Sequence, residues 1–228
     1  MTLIKVSSVD FEKKGDVEID REKINARKVY LISKRCIDFM GALLGLILLF
    51  PVFLVVAVLI KYEDPKGPVF FKQIRVGKDG ETFYMYKFRS MVMDAEDRLK
   101  ELLKHNEVSG AMFKMKDDPR ITKIGKFIRK TSIDELPQLI NVLKGEMSLV
   151  GPRPPLPREV KEYTLYDKQR LLVTPGCTGL WQVSGRSNLS FEQMVELDIY
   201  YIIQRSIIFD VKILLRTVKV LLGSEDAY

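Results

Sequence analysis

The chain has 228 residues, of which 46% are hydrophobic and 29% are charged, and its formal net charge is +7. These values suit one ordinary globular domain with an additional element, and neither end has the long biased composition that is typical of a disordered tail. The positive charge favours an anionic partner such as a phospholipid surface, a nucleotide or a polyphosphate. Cys36 and Cys177 lie far apart without metal-ligand spacing, which argues against a disulfide framework or a zinc site.

The histidine content restricts the chemistry that the chain can perform. His105 is the only histidine, and its polar helical surroundings are typical of a solvated surface residue. Acid–base or nucleophilic chemistry must therefore come from Asp, Glu, Lys, Cys, Ser or Tyr side chains. Catalytic triads built on histidine are excluded.

The first third of the chain contains a long apolar segment. Residues 1–30 mix charged and small residues without a regular period, so we expect a loosely ordered lead-in. No charged residue occurs between Phe39 and Ile60, a stretch long enough for a helix of about 33 Å at 1.5 Å per residue. We predict a membrane helix over residues 31–62. Its distance from the N-terminus and the lack of a small-residue cleavage site argue against a secretory signal.

Pro51 stands in the middle of this apolar run, where it removes one backbone hydrogen bond and predicts a kink or break. Basic residues flank the run on both sides, although the positive-inside tendency would place them on one side only. A re-entrant helix that breaks at Pro51 and returns to the cytoplasmic face satisfies both flanks. A straight, kinked span is the alternative that hydropathy leaves open. The basic flanking residues are Arg21, Lys23, Arg27, Lys28, Lys34, Arg35, Lys61, Lys66, Lys72, Arg75 and Lys78.

From residue 63 onward the pattern changes to that of an α/β domain that is mostly helical with a small sheet. Asp79-Gly80 suits a tight turn between two short strands. Apolar residues at helical spacing predict the helices that follow, and Gly145 is a plausible helix stop. The predicted strands cover residues 69–72 and 82–88, and the predicted helices cover 94–105, 121–130, 136–143, 157–172 and two segments after 191.

The last helical segment has an amphipathic composition. Lys212, Arg216 and Lys219 follow one side, and Ile, Leu and Val occupy the remainder. Such a helix can lie in the lipid headgroup region. A core helix with one wet face is the alternative, and the neighbouring membrane segment favours the interfacial interpretation.

The segment Ser132-Ile-Asp-Glu-Leu-Pro137 is the densest group of candidate catalytic residues. Pro137 belongs in the first turn of the helix that it opens, which places Asp134 and Glu135 at a helix N-terminus. The helix dipole there favours ionised carboxylates, as a nucleophile or a magnesium ligand requires. The alternative is structural, with Ser132 capping the helix and Glu135 completing a capping box.

Two further segments combine proline or glycine with polar side chains. In Gly151-Pro-Arg-Pro-Pro155, the prolines restrict the backbone around Arg153, which suits bidentate phosphate recognition, although a rigid structural turn is equally consistent. The segment 174–186 adds glycines, Trp181, Gln182 and Arg186, and could accept a nucleobase, but it matches no Walker or dinucleotide fingerprint. The remaining charged candidates, each also compatible with a solvated surface, are Lys87, Arg89, Asp117, Asp118 and Arg120.

Taken together, these segments resemble the bacterial sugar transferases known as monotopic phosphoglycosyl transferases, including the undecaprenyl-phosphate galactose or glucose phosphotransferases. The resemblance runs from about Ser33 to the C-terminus and rests on several long motifs in the right order. They are Lys34-Arg-Cys-Ile-Asp38, Tyr86-Lys-Phe-Arg-Ser-Met91, Asp118-Pro-Arg-Ile-Thr122, Ser132-Ile-Asp-Glu-Leu-Pro-Gln138, Asn141-Val-Leu-Lys-Gly145, Ser148-Leu-Val-Gly-Pro-Arg-Pro154 and Gly179-Leu-Trp-Gln-Val-Ser-Gly-Arg186.

The resemblance implies a re-entrant helix broken at Pro51, with both ends cytoplasmic. Family members often carry Ser before that proline, whereas this chain has Phe50, so Pro51 alone must make the break. Larger relatives also carry a multi-span N-terminal region, which we do not expect here. The resemblance divides the chain into the lead-in (1–30), the membrane helix (31–62) and a membrane-associated catalytic domain (63–228) on the cytoplasmic face of the bacterial inner membrane.

The resemblance also implies the chemistry. Asp134 would attack the β-phosphorus of a UDP-sugar, release UMP and carry a covalent phosphosugar until polyprenyl phosphate accepts it. Mg²⁺, ligated through Asp134, would offset the diphosphate charge, and Glu135 would complete the catalytic pair. The residues expected to bind substrate are Lys87, Arg89, Arg120, Arg153, Gln182 and Arg186.

Further expectations concern partners and rival functions. Membrane lipids are expected partners, a homodimer is left open, and the sugar is expected to be a hexose such as galactose or glucose. A nucleic-acid-binding module is disfavoured because no such motif is recognisable, so no nucleic acid is expected. A non-catalytic scaffold is disfavoured because it would not need Asp134, Glu135 and Arg153.

Overall fold

The computed structural model describes residues 18–102, 115, 117–185 and 188–223. His105 and Arg186 fall outside this part of the chain. The described residues are mostly helical, as expected, and contain two small sheets. The α-helices are α1 Arg21–Ala26, α2 Lys28–Glu63, α3 Ala95–Leu102, α4 Lys123–Lys130, α5 Gln138–Lys144, α6 Pro157–Lys161, α7 Leu165–Lys168, α8 Phe191–Gln204 and α9 Ile207–Gly223; the strands are β1 Phe70–Val76, β2 Thr82–Phe88, β3 Ser148–Val150 and β4 Gly176–Thr178.

The end of the expected lead-in is structured. Asp20 caps α1, since its side chain accepts hydrogen bonds from the backbone N–H groups of Glu22 and Lys23. Ile19 and Ile24 are buried in the largest hydrophobic cluster, together with residues of α8 and α9. This short segment therefore packs onto the core, which periodicity did not indicate because α1 is less than two turns long.

Helix α2 is the membrane-type element of the described chain. It is long and apolar enough to cross a membrane, and only 11% of its most apolar 18-residue window is buried, which is unlike the core helix of a soluble protein. Helix α2 begins and ends close to the expected bounds, but Pro51 does not end it. A single proline removes one hydrogen bond, and the bonds on either side maintain the helix.

One face of α2 packs against the rest of the protein through small residues. Ala42 is fully buried, and a Cβ added at Gly41 would lie 2.8 Å from Leu149 Cδ1, while one at Gly45 would lie 3.1 Å from Leu139 Cδ1. Glycine thus permits close approach of α2 to β3 and α5. The opposite surface exposes apolar side chains, among them Leu44, Ile47, Leu48, Phe50, Leu54, Val55 and Val58.

Strands β1 and β2 form an antiparallel hairpin in which Phe70 pairs with Phe88 and Val76 with Thr82. The turn between them contains Asp79 and Gly80, both with positive φ, as expected for Asp-Gly. Strand β1 runs four residues beyond the predicted end. The alternation of side chains directs Arg75, Met85 and Lys87 to one face of the hairpin, since Gln73 pairs with Met85 and Arg75 with Phe83.

The second sheet was not predicted. Strands β3 and β4 pair in parallel, with Ser148 opposite Gly176 and Val150 opposite Thr178. Each strand has only three residues, which is too short for a period to emerge from the sequence. The pairing brings residues 151–155, which follow β3, next to residues 174–182 around β4.

The predicted helix at 157–172 is interrupted in the structure. It divides into α6, α7 and a 3₁₀ turn, Gln169–Leu172. Thr164 starts a new helix because its side chain accepts from the backbone N–H of Asp167, and Asp167 in return accepts from the N–H of Thr164. The capping box at Thr164 and Asp167 thus ends the predicted single helix and begins a new one, although the apolar residues continue at helical spacing.

Helices α8 and α9 close the largest hydrophobic cluster. On α8, Tyr201 is buried and its hydroxyl donates to Asp210 Oδ1 on α9 at 2.7 Å. Helix α9 buries Ile213 but exposes Ile208, Val211, Leu215 and Val218. The spacing of these four residues places them along one side, so α9 has an exposed apolar stripe, and its interfacial position stays a prediction.

Candidate active site

The carboxylates Asp134 and Glu135 lie in a 3₁₀ turn, Ile133–Glu135, between α4 and α5. Ser132 enters this turn in the left-handed region, with φ of 56°, a conformation that costs a non-glycine residue of order 1 kcal/mol and is frequent at functional sites. The Ser132 side chain makes no capping hydrogen bond. The capping-box alternative is therefore wrong, and Asp134 and Glu135 lie in the turn that directly precedes α5.

Glu135 is paired with a cation from the hairpin. Lys87 Nζ on β2 lies 2.6 Å from Glu135 Oε1, and both side chains are at least two-thirds buried. Burial opposes ionisation of Glu135, but Lys87, Arg153 and Arg75 together outweigh that effect and hold the pKa of Glu135 below its usual range. Glu135 is consequently a carboxylate at all physiological pH values.

Asp134 is in a different electrostatic environment from its neighbour. It is buried, and among the described residues no Lys or Arg nitrogen lies within 4.0 Å of its carboxylate. Burial raises the pKa of Asp134 to about 6, an effect that Lys87 and Arg129 reduce and Glu135 reinforces. At neutral pH, Asp134 is ionised but remains more basic than an ordinary aspartate.

A small open cleft lies beside this pair and joins four segments distant in sequence. The hairpin contributes Met85 and Lys87, the turn and α5 contribute Glu135 and Gln138, and the two segments around the parallel sheet contribute the remainder. The lining residues are Met85, Lys87, Glu135, Gln138, Arg153, Pro154, Gly176, Cys177 and Gln182. Four residues expected to act at the site, Lys87, Glu135, Arg153 and Gln182, are thus brought together.

Arg153 is presented by a backbone segment held on two sides. The amide of Val76 donates to the carbonyl of Pro155 at 2.9 Å, and the amide of Gly176 donates to the carbonyl of Pro152 at 2.9 Å. The flanking prolines cannot donate, so their carbonyls are the available contacts. Arg153 itself is exposed, and within the described ranges its guanidinium has no hydrogen bond or ion pair, which leaves it available to an anion.

The sequence matches the family model described as bacterial sugar transferase over residues 29–224. The chain belongs to the bacterial sugar transferase family. It is 54% identical over 196 residues to the galactosyl transferase CpsE of Streptococcus agalactiae, covering 85% of this chain and 43% of the relative. It is 45% identical over 207 residues to the undecaprenyl-phosphate galactose phosphotransferase of Salmonella typhimurium, covering 89% and 43% respectively.

The chain therefore spans less than half of the length of these two bacterial sugar transferases. A third relative, the exopolysaccharide production protein ExoY of Sinorhizobium fredii, is similar in size. It is 39% identical over 214 residues, which cover 92% of this chain and 94% of that protein.

Two residues of this bacterial sugar transferase that were expected to bind substrate are engaged elsewhere. Arg89 is buried, and its Nη1 lies 2.7 Å from Asp64 Oδ2 just after α2. Arg120 is also buried and forms a bidentate pair with Asp118, with Nη2 2.6 Å from Oδ2. The first pair joins the segment after α2 to the end of β2, whereas the second lies within one loop, from which Arg120 Nη1 also donates to the carbonyl of Ala95 at 3.2 Å. Neither arginine lines the cleft. Arg186 lies outside the described residues, so its role stays a prediction.

Other residues near the carboxylates were not identified from the sequence. Arg129, at the end of α4, acts electrostatically on Asp134, and Arg75 acts on Glu135. Gln138 and Cys177 line the cleft. Alternation along β1 could have indicated Arg75 as an inward-facing residue, whereas nothing in the sequence separated Arg129 from the other basic residues of α4.

Of the two carboxylates, Asp134 has the chemistry that a Mg²⁺ ligand requires. Among the described residues no group of three or more His, Cys, Asp or Glu side chains could hold a metal ion. Mg²⁺, however, is commonly bound by one or two carboxylates together with substrate phosphates. Asp134 suits that role because it is a buried carboxylate without an ion-pair partner within 4.0 Å in the described chain, whereas Glu135 already contacts Lys87.

Proposed function

We propose that the chain transfers a sugar 1-phosphate from a UDP-sugar to polyprenyl (undecaprenyl) phosphate, with UMP as the second product. The reaction would pass through a phosphosugar covalently bound to Asp134. Two relatives named as phosphotransferases support this substrate class: the Salmonella protein acts on undecaprenyl phosphate and galactose by its name, and an Aeromonas hydrophila relative acts on UDP-N-acetylgalactosamine and undecaprenyl phosphate by its name.

The contrast between the two carboxylates is the observation that carries the proposal. Glu135 forms an ion pair with Lys87, whereas Asp134 is buried and, within the described chain, has no basic nitrogen in ion-pair contact. A carboxylate whose pKa is raised to about 6 by burial is more basic than a solvated one and still ionised at neutral pH. These are the properties that a carboxylate nucleophile needs.

The chemistry consists of two displacements at one phosphorus atom. In the first, an Asp134 oxygen forms a bond to the β-phosphorus of the UDP-sugar, and the bond from this phosphorus to the bridging oxygen breaks, so that UMP leaves. In the second, an oxygen of polyprenyl phosphate attacks the same phosphorus, and the bond to Asp134 breaks. The carboxylate is thereby regenerated, and polyprenyl diphosphosugar is released.

The cationic residues of the cleft have separable roles in these steps. Arg153 is available to form a bidentate contact with a phosphate group. Lys87 holds Glu135 in place and contributes positive charge next to Asp134, which favours the approach of a diphosphate to a pair of carboxylates. Mg²⁺ bound at Asp134 would further neutralise charge on the phosphoryl oxygens.

The described chain also supports an interaction with lipid, and the protein is membrane-associated. Both ends of α2 are attached to the same folded unit. Near its start, Lys34 Nζ lies 3.0 Å from Asp210 Oδ2 on α9, and at its end Glu63 accepts from the backbone N–H groups of Lys123 and Ile124 on α4. A helix that crossed the bilayer would place its two ends on opposite sides of an apolar layer about 30 Å thick.

We therefore infer a re-entrant arrangement, in which α2 enters the lipid and both of its ends stay on the cytoplasmic face of the inner membrane. At about 100° per residue, Pro51 falls on the side of α2 opposite Ala42 and Ile60, which are buried. Because a proline ring opens the helix on its own side, a bend at Pro51 would close α2 around the domain. This arrangement would hold the cleft at the lipid surface, where polyprenyl phosphate is found.

The proposed place of the reaction is the first membrane step of exopolysaccharide, capsule or O-antigen assembly. The S. fredii relative is named as an exopolysaccharide production protein. We propose a hexose as the sugar because two relatives are named for galactose or galactosyl transfer.

The proposed function can be tested by measuring UMP release in detergent or membranes from a panel of UDP-sugars, with and without undecaprenyl phosphate. We expect release with at least one UDP-hexose and, without the acceptor, trapping of a phosphosugar on Asp134 that mass spectrometry detects. Absence of UMP across the whole panel would rule out the proposed donor. Normal transfer by Asp134→Asn would rule out the nucleophile.

A further inference from the structure

Arg75 is a buried cation at the end of β1 that does not line the cleft. Only 6% of its surface is accessible. Nε and Nη2 donate to Gln73 Oε1 at 3.1 and 2.7 Å, and Nη1 donates to the carbonyl of Pro154 at 2.9 Å. Within the described residues, no carboxylate oxygen lies within 4.0 Å of this guanidinium, unlike those of Arg89, Arg120 and Arg170.

A buried guanidinium without a carboxylate partner is costly to a protein, because desolvation of the charge is not repaid by an ion pair. Burial, reinforced by the neighbouring Arg153, lowers the pKa of Arg75 to about 10 against the opposing effects of Glu159 and Glu135. The side chain is still charged at neutral pH. Arg205 is likewise buried, and within the described residues it has no carboxylate within 4.0 Å, so the buried charge does not by itself assign a role to Arg75.

The contacts of Arg75 show where such a role would act. The Pro154 carbonyl that it holds belongs to the residue directly after Arg153. The next carbonyl, that of Pro155, accepts from the amide of Val76. Two consecutive residues of β1 therefore bind two consecutive carbonyls of the segment that presents Arg153. The orientation of the Arg75 guanidinium is fixed by Gln73, which accepts from both Nε and Nη2.

We propose that Arg75 is a positioning residue for anion binding, which holds the Pro154 carbonyl so that the Arg153 guanidinium is directed to the phosphate groups of the nucleotide. The proposal rests on the proposed function, because it assumes a nucleoside diphosphate sugar as the ligand. Arg75 acts through Arg153 and through its own positive charge, and it does not touch the substrate.

The test compares Arg75→Gln with wild type, using UDP-galactose, or whichever UDP-hexose the panel identifies, as donor and UMP as a product inhibitor. Loss of a charge-assisted hydrogen bond costs enough free energy to weaken ligand binding by about tenfold. We expect the KM for the UDP-sugar and the Ki for UMP to rise by about tenfold. Arg75→Lys retains the charge but cannot span both acceptors, so it should restore part of the loss.

Arg205→Gln is the matched control. Arg205 is also buried and bonded to a backbone carbonyl, that of Ile24, at 2.9 Å, but it lies at the junction of α8 and α9. A purely structural loss lowers the melting temperature and the active fraction, and therefore kcat, without changing KM or Ki. We expect this pattern for Arg205→Gln. The same pattern in Arg75→Gln would overturn the proposal.

A double-mutant cycle decides whether Arg75 acts through Arg153. Arg153→Gln alone should raise KM and Ki, and Arg75→Gln should add less than about threefold in that background, because residues that act as a unit are not additive. Fully additive effects would overturn the proposal. Should Arg75→Gln fail to fold, Gln73→Met serves instead, since it removes only the acceptor that fixes the orientation of the Arg75 guanidinium, and unchanged KM and Ki for that variant would overturn the proposal equally.

The two proposals fail in different ways. If wild-type protein releases no UMP from any UDP-sugar, the proposed function fails. If wild-type protein is active and the Arg75 variants keep wild-type KM and Ki, only the role of Arg75 fails.

Discussion

Two regions of the molecule differ in which side chains they bury. One is the surface formed by α2 and α9, and the other is the cleft beside Asp134. On α2 and α9, large apolar side chains such as Ile47 and Leu215 are 63% and 65% exposed. In and around the cleft, charged groups such as Asp134 and Arg75 are buried. A soluble enzyme would reverse the first pattern. The combination agrees with the proposed function, in which lipid contacts the two helices and an anionic ligand binds in the cleft.

The largest expected effect concerns Asp134, which is buried beside the cleft without lining it. Asp134→Asn should lower the rate of UMP release by about a thousandfold or more, because the amide cannot form the covalent intermediate. The melting temperature should be unchanged or higher, because the substitution removes a buried charge that no ion pair compensates. A comparable loss of activity accompanied by unfolding would instead indicate a structural role for Asp134.

Removing the cation that faces Asp134 and Glu135 should have the next largest effect. Lys87→Met leaves Glu135 without its ion pair and removes positive charge beside Asp134, so we expect kcat to fall by about a hundredfold. Lys144→Met is the matched control. Lys144 is exposed on α5 and donates to Tyr86 Oη at 2.8 Å, so UMP release should stay within about twofold of wild type. Equal losses in the two variants would contradict the assigned role of Lys87.

The exposed surface of α2 can be tested with a single charge. Ile47→Lys places a cation in the centre of the apolar run, which costs about 2.5–3.5 kcal/mol in lipid and should lower the vesicle partition coefficient by about a hundredfold. Leu165→Lys controls for charge and hydrophobicity, since Leu165 on α7 is 86% exposed and lies outside both helices. Equal partitioning of the two variants would show that the exposed side of α2 does not face lipid.

A smaller effect is expected for α9. Leu215→Lys removes one apolar side chain from an interfacial stripe whose flanks already carry Lys212 and Arg216, so a decrease in partitioning of about tenfold is expected. Vesicle flotation of Leu215→Lys and Ile47→Lys compares the partition coefficients of the two variants. It thereby distinguishes a helix that enters the lipid, proposed for α2, from one that lies on the lipid surface, proposed for α9. If Leu215→Lys lowered partitioning more than Ile47→Lys does, α9 rather than α2 would be the helix that enters the lipid more deeply.

The sequence predicted the elements whose patterns are local. The uncharged run from Phe39 to Ile60 indicated α2, Asp-Gly indicated the hairpin turn, and Gly145, with φ of 87°, ends α5 as predicted. The capping box at Ser132 was wrong, because Ser132 adopts a left-handed conformation that spacing does not reveal. The helix predicted over 157–172 was wrong as a single element, because a capping box at Thr164 and Asp167 restarts it.

The candidate site was predictable to a different extent for each residue. Lys87, Glu135, Arg153 and Gln182 were proposed from motifs and line one cleft, whereas Arg89 and Arg120 have similar motifs but pair with Asp64 and Asp118. Sequence spacing cannot tell an arginine that faces a cleft from one that holds a loop. The difference depends on which carboxylate the fold places within reach.

By itself, the sequence determined the family, the membrane-type helix, the hairpin and the carboxylate pair, because each depends on residues close together in the chain. Only the tertiary structure decided that Lys87 pairs with Glu135 and leaves Asp134 without an ion pair, and that Arg75 holds the segment carrying Arg153. Electrostatic roles depend on distances between segments. Those distances are set by the packing of the hairpin against α5 and by the short parallel pairing of β3 and β4.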